Sequence, residues 1–362
     1  MSRVSFVPEP AVRESTPRRT RRGVLRRHAA LSAGAIVALL AGELFARALW
    51  GAPMAEREPL MEVRTHPTRG FEMIPDSVHY TYLHEVRVNE LGLRGPAHAD
   101  AAPEDPRVLV LGDSLVYGQG VGDEETLPAA LERELRLRGG AGRPRVWNGG
   151  VRSYATEQEL ALLEELLPRV RPGIVVLCWY ANDLDRVDCA ALAQRLEASG
   201  PIVFDWNAPA SDALRRSWRL RQTARSSALV MKLHDVWSDL TWPAAAPGDV
   251  EAAWSRLDAS FGRLAELAQR HDFDVLVAIV PLATLVQHDD ERDEHASRVR
   301  SACAAHRLDV VELLPALRAQ RRTDGRLHVL PYDGHYDGAA NATMGEEIAE
   351  ELEQRFPRRF GR

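Results

Sequence analysis

The chain has 362 residues, a hydrophobic fraction of 45% and a formal net charge of −6, which fits one large soluble domain with appendages. Beyond residues 1–27 the sequence carries no basic segment, and its pI is about 6.1, so we expect no nucleic-acid partner. The three cysteines, Cys178, Cys189 and Cys303, lack metal-ligand spacing. We therefore expect no zinc site, no other metal or organic cofactor and no disulfide framework, with one Cys178–Cys189 bridge as an alternative in an oxidising compartment.

The first 50 residues have the layout of a targeting segment, with a basic part at 1–28 and a signal sequence or membrane anchor at 29–50. The uncharged stretch from Ala29 to Gly42 suits the apolar region of a signal peptide but is short for a membrane span, which needs about 20 residues. A span that reaches Trp50 would have to include two charged residues, Glu43 and Arg47.

Residues 20–26 of this segment resemble a twin-arginine export signal. We expect export in a bacterial cell, with the protein either anchored in the inner membrane and facing the periplasm or secreted after cleavage. The anchored form would contact the membrane through its N-terminal segment. The alternative is a basic tail followed by an ordinary helix.

Residues 51–106 are predicted to form a small β appendage and a linker. The segments at 79–82 and 85–88 alternate as short strands do. A turn-rich segment follows at 89–95, and the polar, proline-containing stretch 101–106 is a linker. Arg94 could reach an acidic group of a substrate, although a surface salt bridge is the preferred interpretation.

From residue 107 to 362, apolar strands alternate with amphipathic helices. The predicted strands are 108–111, 146–147, 174–179, 275–280 and 309–311, and the predicted helices are 126–137, 157–170, 250–271, 293–306 and 344–354. The strand at 174–179 is continuously apolar, as in strands that are buried on both faces. This alternation predicts an α/β fold, a three-layer α/β/α sandwich with a central parallel sheet.

A segment at about 184–247 exceeds what a crossover in the sheet needs. It holds four of the eight tryptophans, namely Trp206, Trp218, Trp237 and Trp242. We predict one or two amphipathic helices that form a cap over the site. The tryptophans either line an acyl or glycan pocket or pack the segment onto the sheet; a third possibility is contact with a membrane surface.

The sequence Gly112-Asp113-Ser114-Leu115 carries the most chemical information. It follows an apolar strand and precedes a helical pattern, which places Ser114 at the carboxyl end of a strand, where ligands bind in open α/β sheets. A serine hydroxyl is a weak nucleophile, so it needs a base, an orienting acid and donors for an oxyanion.

This segment resembles the first signature block of the GDSL, or SGNH, hydrolases, a family of esterases and acyl hydrolases with a flavodoxin-like sandwich. Residues 148–156, 179–183 and 333–337 are similar to the later blocks and occur in the same order. The resemblance implies Ser114 as nucleophile, His335 as general base and Asp333 as the acid that orients it. The implied oxyanion donors are the backbone N–H groups of Ser114 and Ser153 and the side-chain amide of Asn182.

The sequence departs from the family pattern at two places. Ser153 stands where glycine is usual, which keeps the backbone donor but puts the backbone conformation in doubt. Tyr180 and Ala181 stand where the third block usually begins with glycine. Both changes could narrow the site or alter its acceptor.

These features predict a serine acyl hydrolase that cleaves an ester, with an O-acetyl or short acyl group on a small molecule or carbohydrate as the expected substrate, through an acyl-serine intermediate. One alternative is an O-acyltransferase that modifies an envelope polysaccharide with the same residues, as some exported relatives do. The other is a glycan-binding module that keeps the fold but not the activity.

Overall fold

The computed structural model describes residues 21–97, 105–140, 142–184, 189–241 and 247–361, and its contacts divide the chain after Gly51 into two units. The first unit contains helix α1 (Arg21–Trp50). Its Leu25–Trp50 portion has 26 residues and a mean hydropathy of 1.9, so it is long and apolar enough to cross a membrane. A signal sequence meets the same criteria of length and hydropathy. Glu43 and Arg47 form an ion pair of 2.6 Å on this helix.

The second unit begins with two antiparallel pairs of short strands. These are β1 (Glu62–His66) with β2 (Gly70–Met73), and β3 (Val78–Thr81) with β4 (His84–Arg87). The sequence predicts β3 and β4 but not the other pair. Strand β1 also pairs with β8 (Ile202–Val203), which lies within the predicted insertion. The segment before the central sheet and the insertion therefore share one small sheet.

Five parallel strands form the central sheet. They are β5 (Arg107–Gly112), β6 (Arg145–Gly150), β7 (Ile174–Trp179), β9 (Asp274–Ile279) and β10 (Asp309–Glu312). Their order across the sheet is β10-β9-β7-β5-β6. The strand prediction is confirmed at all five places, and the bounds of β7 agree at both ends.

The second unit also contains helices, some of which cover the two faces of the central sheet. In chain order they are α2 (Ser114–Tyr117), α3 (Leu127–Arg138), α4 (Thr156–Val170), α5 (Cys189–Ser199), α6 (Asp212–Arg225), α7 (Ala228–Thr241), α8 (Pro247–His271), α9 (Ala283–Gln287), α10 (Glu294–His306), α11 (Leu314–Asp324) and α12 (Gly338–Arg355). Alternate residues of β7 enter two separate cores, with Val175 and Leu177 facing α4, α8 and α10 and Val176 facing α3 and α12. This two-residue period gives the predicted three-layer α/β/α sandwich.

Some of the sequence predictions concern residues that the structure does not describe. Residues 1–20, residues 101–104 of the linker and Trp242 lie outside, and the side chain of Trp206 is not described. Cys178 is a buried free thiol, so the alternative of a Cys178–Cys189 bridge is wrong. The described residues of the insertion hold three helices, α5, α6 and α7, where one or two were predicted.

Candidate active site

Ser114 lies at the start of α2, directly after β5. Asp113 caps this short helix, because its Oδ1 accepts a hydrogen bond of 2.8 Å from the Leu115 N–H. The end of β6 passes so close that a Cβ at Gly150 would lie 2.0 Å from the Tyr117 nitrogen. Glycine is therefore required at position 150 to bring the second block against the turn that carries Ser114.

The structure brings Ser114, His335 and Asp333 into one hydrogen-bonded chain. The Oγ of Ser114 lies 2.7 Å from Nε2 of His335, and Nδ1 of the same ring contacts Oδ1 of Asp333. Burial opposes ionisation of Asp333, but the hydrogen bond and charge of His335 together with hydrogen bonds from Tyr82 and Gln119 outweigh it, so the pKa of this carboxyl lies below its usual range. This is the arrangement in which a serine can pass its proton to an oriented imidazole.

Two further donors hold Asp333, and the sequence analysis did not identify either as a site residue. The Tyr82 hydroxyl and the Gln119 amide both donate to Oδ2 of Asp333, the latter at 2.9 Å. Tyr82 lies in the turn between β3 and β4 and Gln119 just after α2. No local sequence signal marks such a contact, because Tyr82 and Asp333 are 251 positions apart.

The three predicted oxyanion donors surround the same pocket as Ser114. The N–H of Ser114 is the first of its helix and so has no acceptor within it. Ser153 has a φ of 62°, so this serine adopts the left-handed conformation that the usual glycine would favour. The Nδ2 of Asn182 donates to Oδ2 of Asp113 at 2.6 Å, which leaves its second hydrogen for another acceptor.

The pocket has a volume of about 350 Å³. Its lining residues are Ser114, Leu115, Gln119, Arg152, Ser153, Tyr180, Asn182, Asp333, Gly334 and His335. Trp218 and Trp237, whose side chains the structure describes, are not among them, and Trp237 is 68% exposed. The insertion reaches the pocket edge instead through Asp205, which binds Arg152 at 2.8 Å.

Buried carboxyl groups lie beneath the turn that carries Asn182. Glu159 is fully buried, and neither of its carboxylate oxygens has a hydrogen-bond partner among the described residues. Burial, together with the charges of Asp183 and Asp113, raises the pKa of Glu159 well above its usual value. Burial and Asp113 raise the pKa of Asp183 in the same way. Both carboxyls therefore favour the protonated form.

Arg94 forms a salt bridge of 2.8 Å with the half-exposed Asp123, as the sequence analysis preferred, but its own side chain is buried and not at the surface. Its side chain is buried and donates to the carbonyl oxygens of Tyr117, Gly118 and Val121 at 2.7 to 3.0 Å, as well as to Asp123. The guanidinium group therefore holds the loop that follows α2, and Arg94 is not among the residues that line the pocket. The sequence did not predict the burial of Arg94, because the carbonyl groups that it contacts lie more than 20 residues further along the chain.

The chain thus has a parallel sheet between two helical layers, the three-layer sandwich expected of an SGNH hydrolase, with a serine at the carboxyl end of an interior strand. A profile of the GDSL-like lipase/acylhydrolase family matches residues 110–335, and the chain belongs to this family. It is accordingly an enzyme that hydrolyses ester bonds.

Solved structures of similar fold include esterases and lipases. An acetyl xylan esterase, AlAXEase, is 12% identical over 68% of this chain and 98% of its own, with a TM-score of 0.41. A lipase/acylhydrolase from Enterococcus faecalis is 15% identical over 69% of this chain and 96% of its own, with a TM-score of 0.37. AlinE4, an SGNH-hydrolase family esterase, is 17% identical over 72% of this chain and 98% of its own, with a TM-score of 0.35. Comparison with curated protein sequences gave no match.

Proposed function

We propose that this protein is a serine esterase that removes an O-acetyl or other short acyl group through an acyl-serine intermediate. The observation that carries the proposal is the 2.7 Å contact between Ser114 Oγ and His335 Nε2 at the wall of the pocket. Asp333, on the far side of the imidazole ring, keeps that ring in the tautomer that accepts the serine proton.

The reaction consists of two acyl transfers. Ser114 Oγ attacks the ester carbonyl while His335 takes the serine proton, and the N–H groups of Ser114 and Ser153 with the Asn182 amide receive the negative charge on the carbonyl oxygen. The protonated His335 then gives its proton to the leaving alkoxide. Water repeats the sequence, with His335 as its base, and releases the carboxylic acid and free Ser114.

The pocket supports a short acyl group. Its volume of about 350 Å³ is at the lower end of the range for small-molecule sites. Leu115 and Tyr180 provide apolar surface, whereas Arg152 provides a polar contact for the alcohol part of an ester. We therefore expect acetate esters to be better substrates than octanoate esters.

The same residues would serve an acyltransferase, since a sugar hydroxyl can replace water at the acyl-enzyme. A binding module without turnover is disfavoured by the alignment of Ser114, His335 and Asp333. Adding a carbohydrate acceptor to the assay separates the first two possibilities, because transfer consumes the acyl-enzyme without releasing acetate.

The test is labelling of the purified full-length chain with a fluorophosphonate and, in parallel, turnover of p-nitrophenyl acetate, butyrate and octanoate. Mass spectrometry should find one adduct on Ser114, and Ser114→Ala should lose both labelling and turnover. Ser260→Ala, which changes a buried serine of α8, should retain both. An unlabelled wild-type Ser114 without nitrophenol release would rule out the esterase and favour the binding module.

The apolar helix α1 supports a signal anchor or signal peptide, with the catalytic unit outside the cytoplasm. The Glu43–Arg47 ion pair lowers the cost of placing two charges near the end of a membrane span. Membrane fractionation and N-terminal sequencing of the mature protein distinguish an uncleaved anchor from a cleaved signal. Replacing Arg21 and Arg22 together by lysine should block export if the twin-arginine route is used.

A further inference from the structure

We propose that Tyr82 and Gln119 are positioning residues that fix the Asp333 carboxylate, so that the β3–β4 hairpin completes the catalytic group. The proposal rests on the roles given above to Ser114, His335 and Asp333. Tyr82 precedes the part of the chain that the family profile matches, which begins at residue 110.

Both oxygens of Asp333 are engaged, each by different partners. Oδ1 contacts the His335 ring, whereas Oδ2 accepts hydrogen bonds from Tyr82 and Gln119. A carboxylate bound through one oxygen alone can rotate about its terminal bond. The two donors on Oδ2 oppose that rotation and so hold Oδ1 in line with the imidazole.

The two donors are themselves held by the packing of three loops. The Thr81 Oγ1, next to Tyr82, accepts a hydrogen bond of 2.8 Å from the N–H of Gly120, next to Gln119. A Cβ at Gly120 would lie 2.3 Å from the Leu330 side chain and 3.2 Å from the Tyr82 ring. The hairpin turn, the loop after α2 and the loop that leads to Asp333 thus meet without space for another methyl group.

Tyr82 and Gln119 also reduce the negative charge that the Asp333 carboxylate presents to His335. Burial, with the nearby Asp333 charge, raises the pKa of Tyr82, so its hydroxyl stays protonated and remains a donor. Each hydrogen bond to Oδ2 neutralises part of the carboxylate charge. Removing one donor leaves more charge to retain a proton on His335, and a protonated imidazole cannot act as a base. The acidic limb of the activity profile should therefore move to higher pH.

The experiment compares Tyr82→Phe and Gln119→Met with wild type in the full-length chain. The matched control is Tyr80→Phe, because Tyr80 lies in the same hairpin and its hydroxyl faces Glu85 at 3.4 Å. Tyr82→Phe should lower kcat for p-nitrophenyl acetate about tenfold, as loss of one hydrogen bond to a charged group implies. KM should be unchanged and the acidic limb of kcat/KM should move to higher pH, whereas Tyr80→Phe should match wild type.

Wild-type kcat and pH profile in Tyr82→Phe would overturn the proposal, as would an equal loss in Tyr80→Phe. Should Tyr82→Phe fail to fold, as judged by circular dichroism, Gln119→Met provides the same readouts and the same criterion. Failure of the esterase proposal looks different, because then wild-type Ser114 itself would not react with the fluorophosphonate.

Discussion

The side-chain amide of Asn182 donates a hydrogen bond of 2.6 Å to Oδ2 of Asp113, which joins the turn after β7 to the turn after β5. The same Asp113 caps α2 through its other oxygen, and its Oδ2 lies 3.3 Å from the Ser114 Oγ. One carboxylate therefore orients both the residue proposed as nucleophile and a residue proposed as oxyanion donor.

Asp113→Ala should lower kcat about 10- to 100-fold, because the Asn182 amide loses the partner that aims it. The variant should also lose about 1 kcal/mol of unfolding free energy with the helix cap. Asp293→Ala is the matched control, since Asp293 caps α10 through the same type of contact. It should show the stability loss with wild-type kcat, and an equal fall in kcat for both variants would contradict the role of Asp113.

Position 153 should tolerate glycine better than a β-branched residue. Ser153 has a φ of 62°, which glycine adopts without strain and valine does not. Ser153→Gly should keep wild-type kcat because the backbone N–H is the proposed donor, whereas Ser153→Val should lose activity and about 1 to 2 kcal/mol of stability. Steady-state kinetics and urea unfolding measure both effects. A loss of activity in Ser153→Gly would indicate that the hydroxyl takes part.

Arg94→Met should destabilise the protein by on the order of 3 kcal/mol, because it leaves buried carbonyl groups of the loop after α2 without donors. Activity should fall as well, since that loop carries Gln119. Arg87→Met serves as the control, because the side chain of Arg87 is 70% exposed and exposed ion pairs contribute little. Urea unfolding of both variants is the measurement. Equal stability of the two would refute the role of Arg94 in holding the loop after α2.

His79 should make the folded state sensitive to acid. Burial, together with Arg94 and Arg152, lowers the pKa of His79 to about 4, while the unfolded chain has the ordinary value of about 6.5. The stability that the neutral ring contributes is therefore complete above pH 6.5 and is lost as the pH falls towards 4. Between pH 7.5 and 5 this amounts to about 2 kcal/mol.

Unfolding by urea at these two pH values tests the role of His79. His79→Gln should lose less stability on acidification than wild type does, whatever its stability at neutral pH. His288→Gln changes a side chain that is 50% exposed. This variant should lose as much unfolding free energy on acidification as wild type does. An equal loss of unfolding free energy in all three proteins would show that His79 does not titrate between these two pH values.

Glu159→Gln should remove a loss of stability that sets in as the pH rises. Burial and the nearby Asp183 and Asp113 raise the pKa of Glu159 in the folded state, so its contribution is complete below its ordinary pKa and declines as the pH rises through the raised value. As the pH rises above the ordinary value of 4.5, the unfolding free energy of wild type should fall more steeply than that of the variant. Glu157→Gln, at an exposed position of the same helix, should behave as wild type.

Features that depend on residues close together in the chain were predictable from sequence. The apolar run of β7, the Gly-Asp-Ser turn after β5 and the histidine two residues beyond Asp333 all depend on short-range spacing. Strand β8 was not predictable, because it has two residues and pairs with β1 far away in the chain. The burial of Arg94 and the contact of Tyr82 with Asp333 have no local signature for the same reason.

The sequence by itself determined the alternation of strands and helices and the order of the four motif segments, and with them the fold class and the family. Periodic burial and turn chemistry are local properties of a chain, so a single sequence carries them. Only the tertiary structure decided which distant groups meet: Tyr82 and Gln119 on Asp333, Asn182 on Asp113, and Arg94 on the loop after α2. Those contacts depend on how the layers and loops pack together, which no short segment specifies.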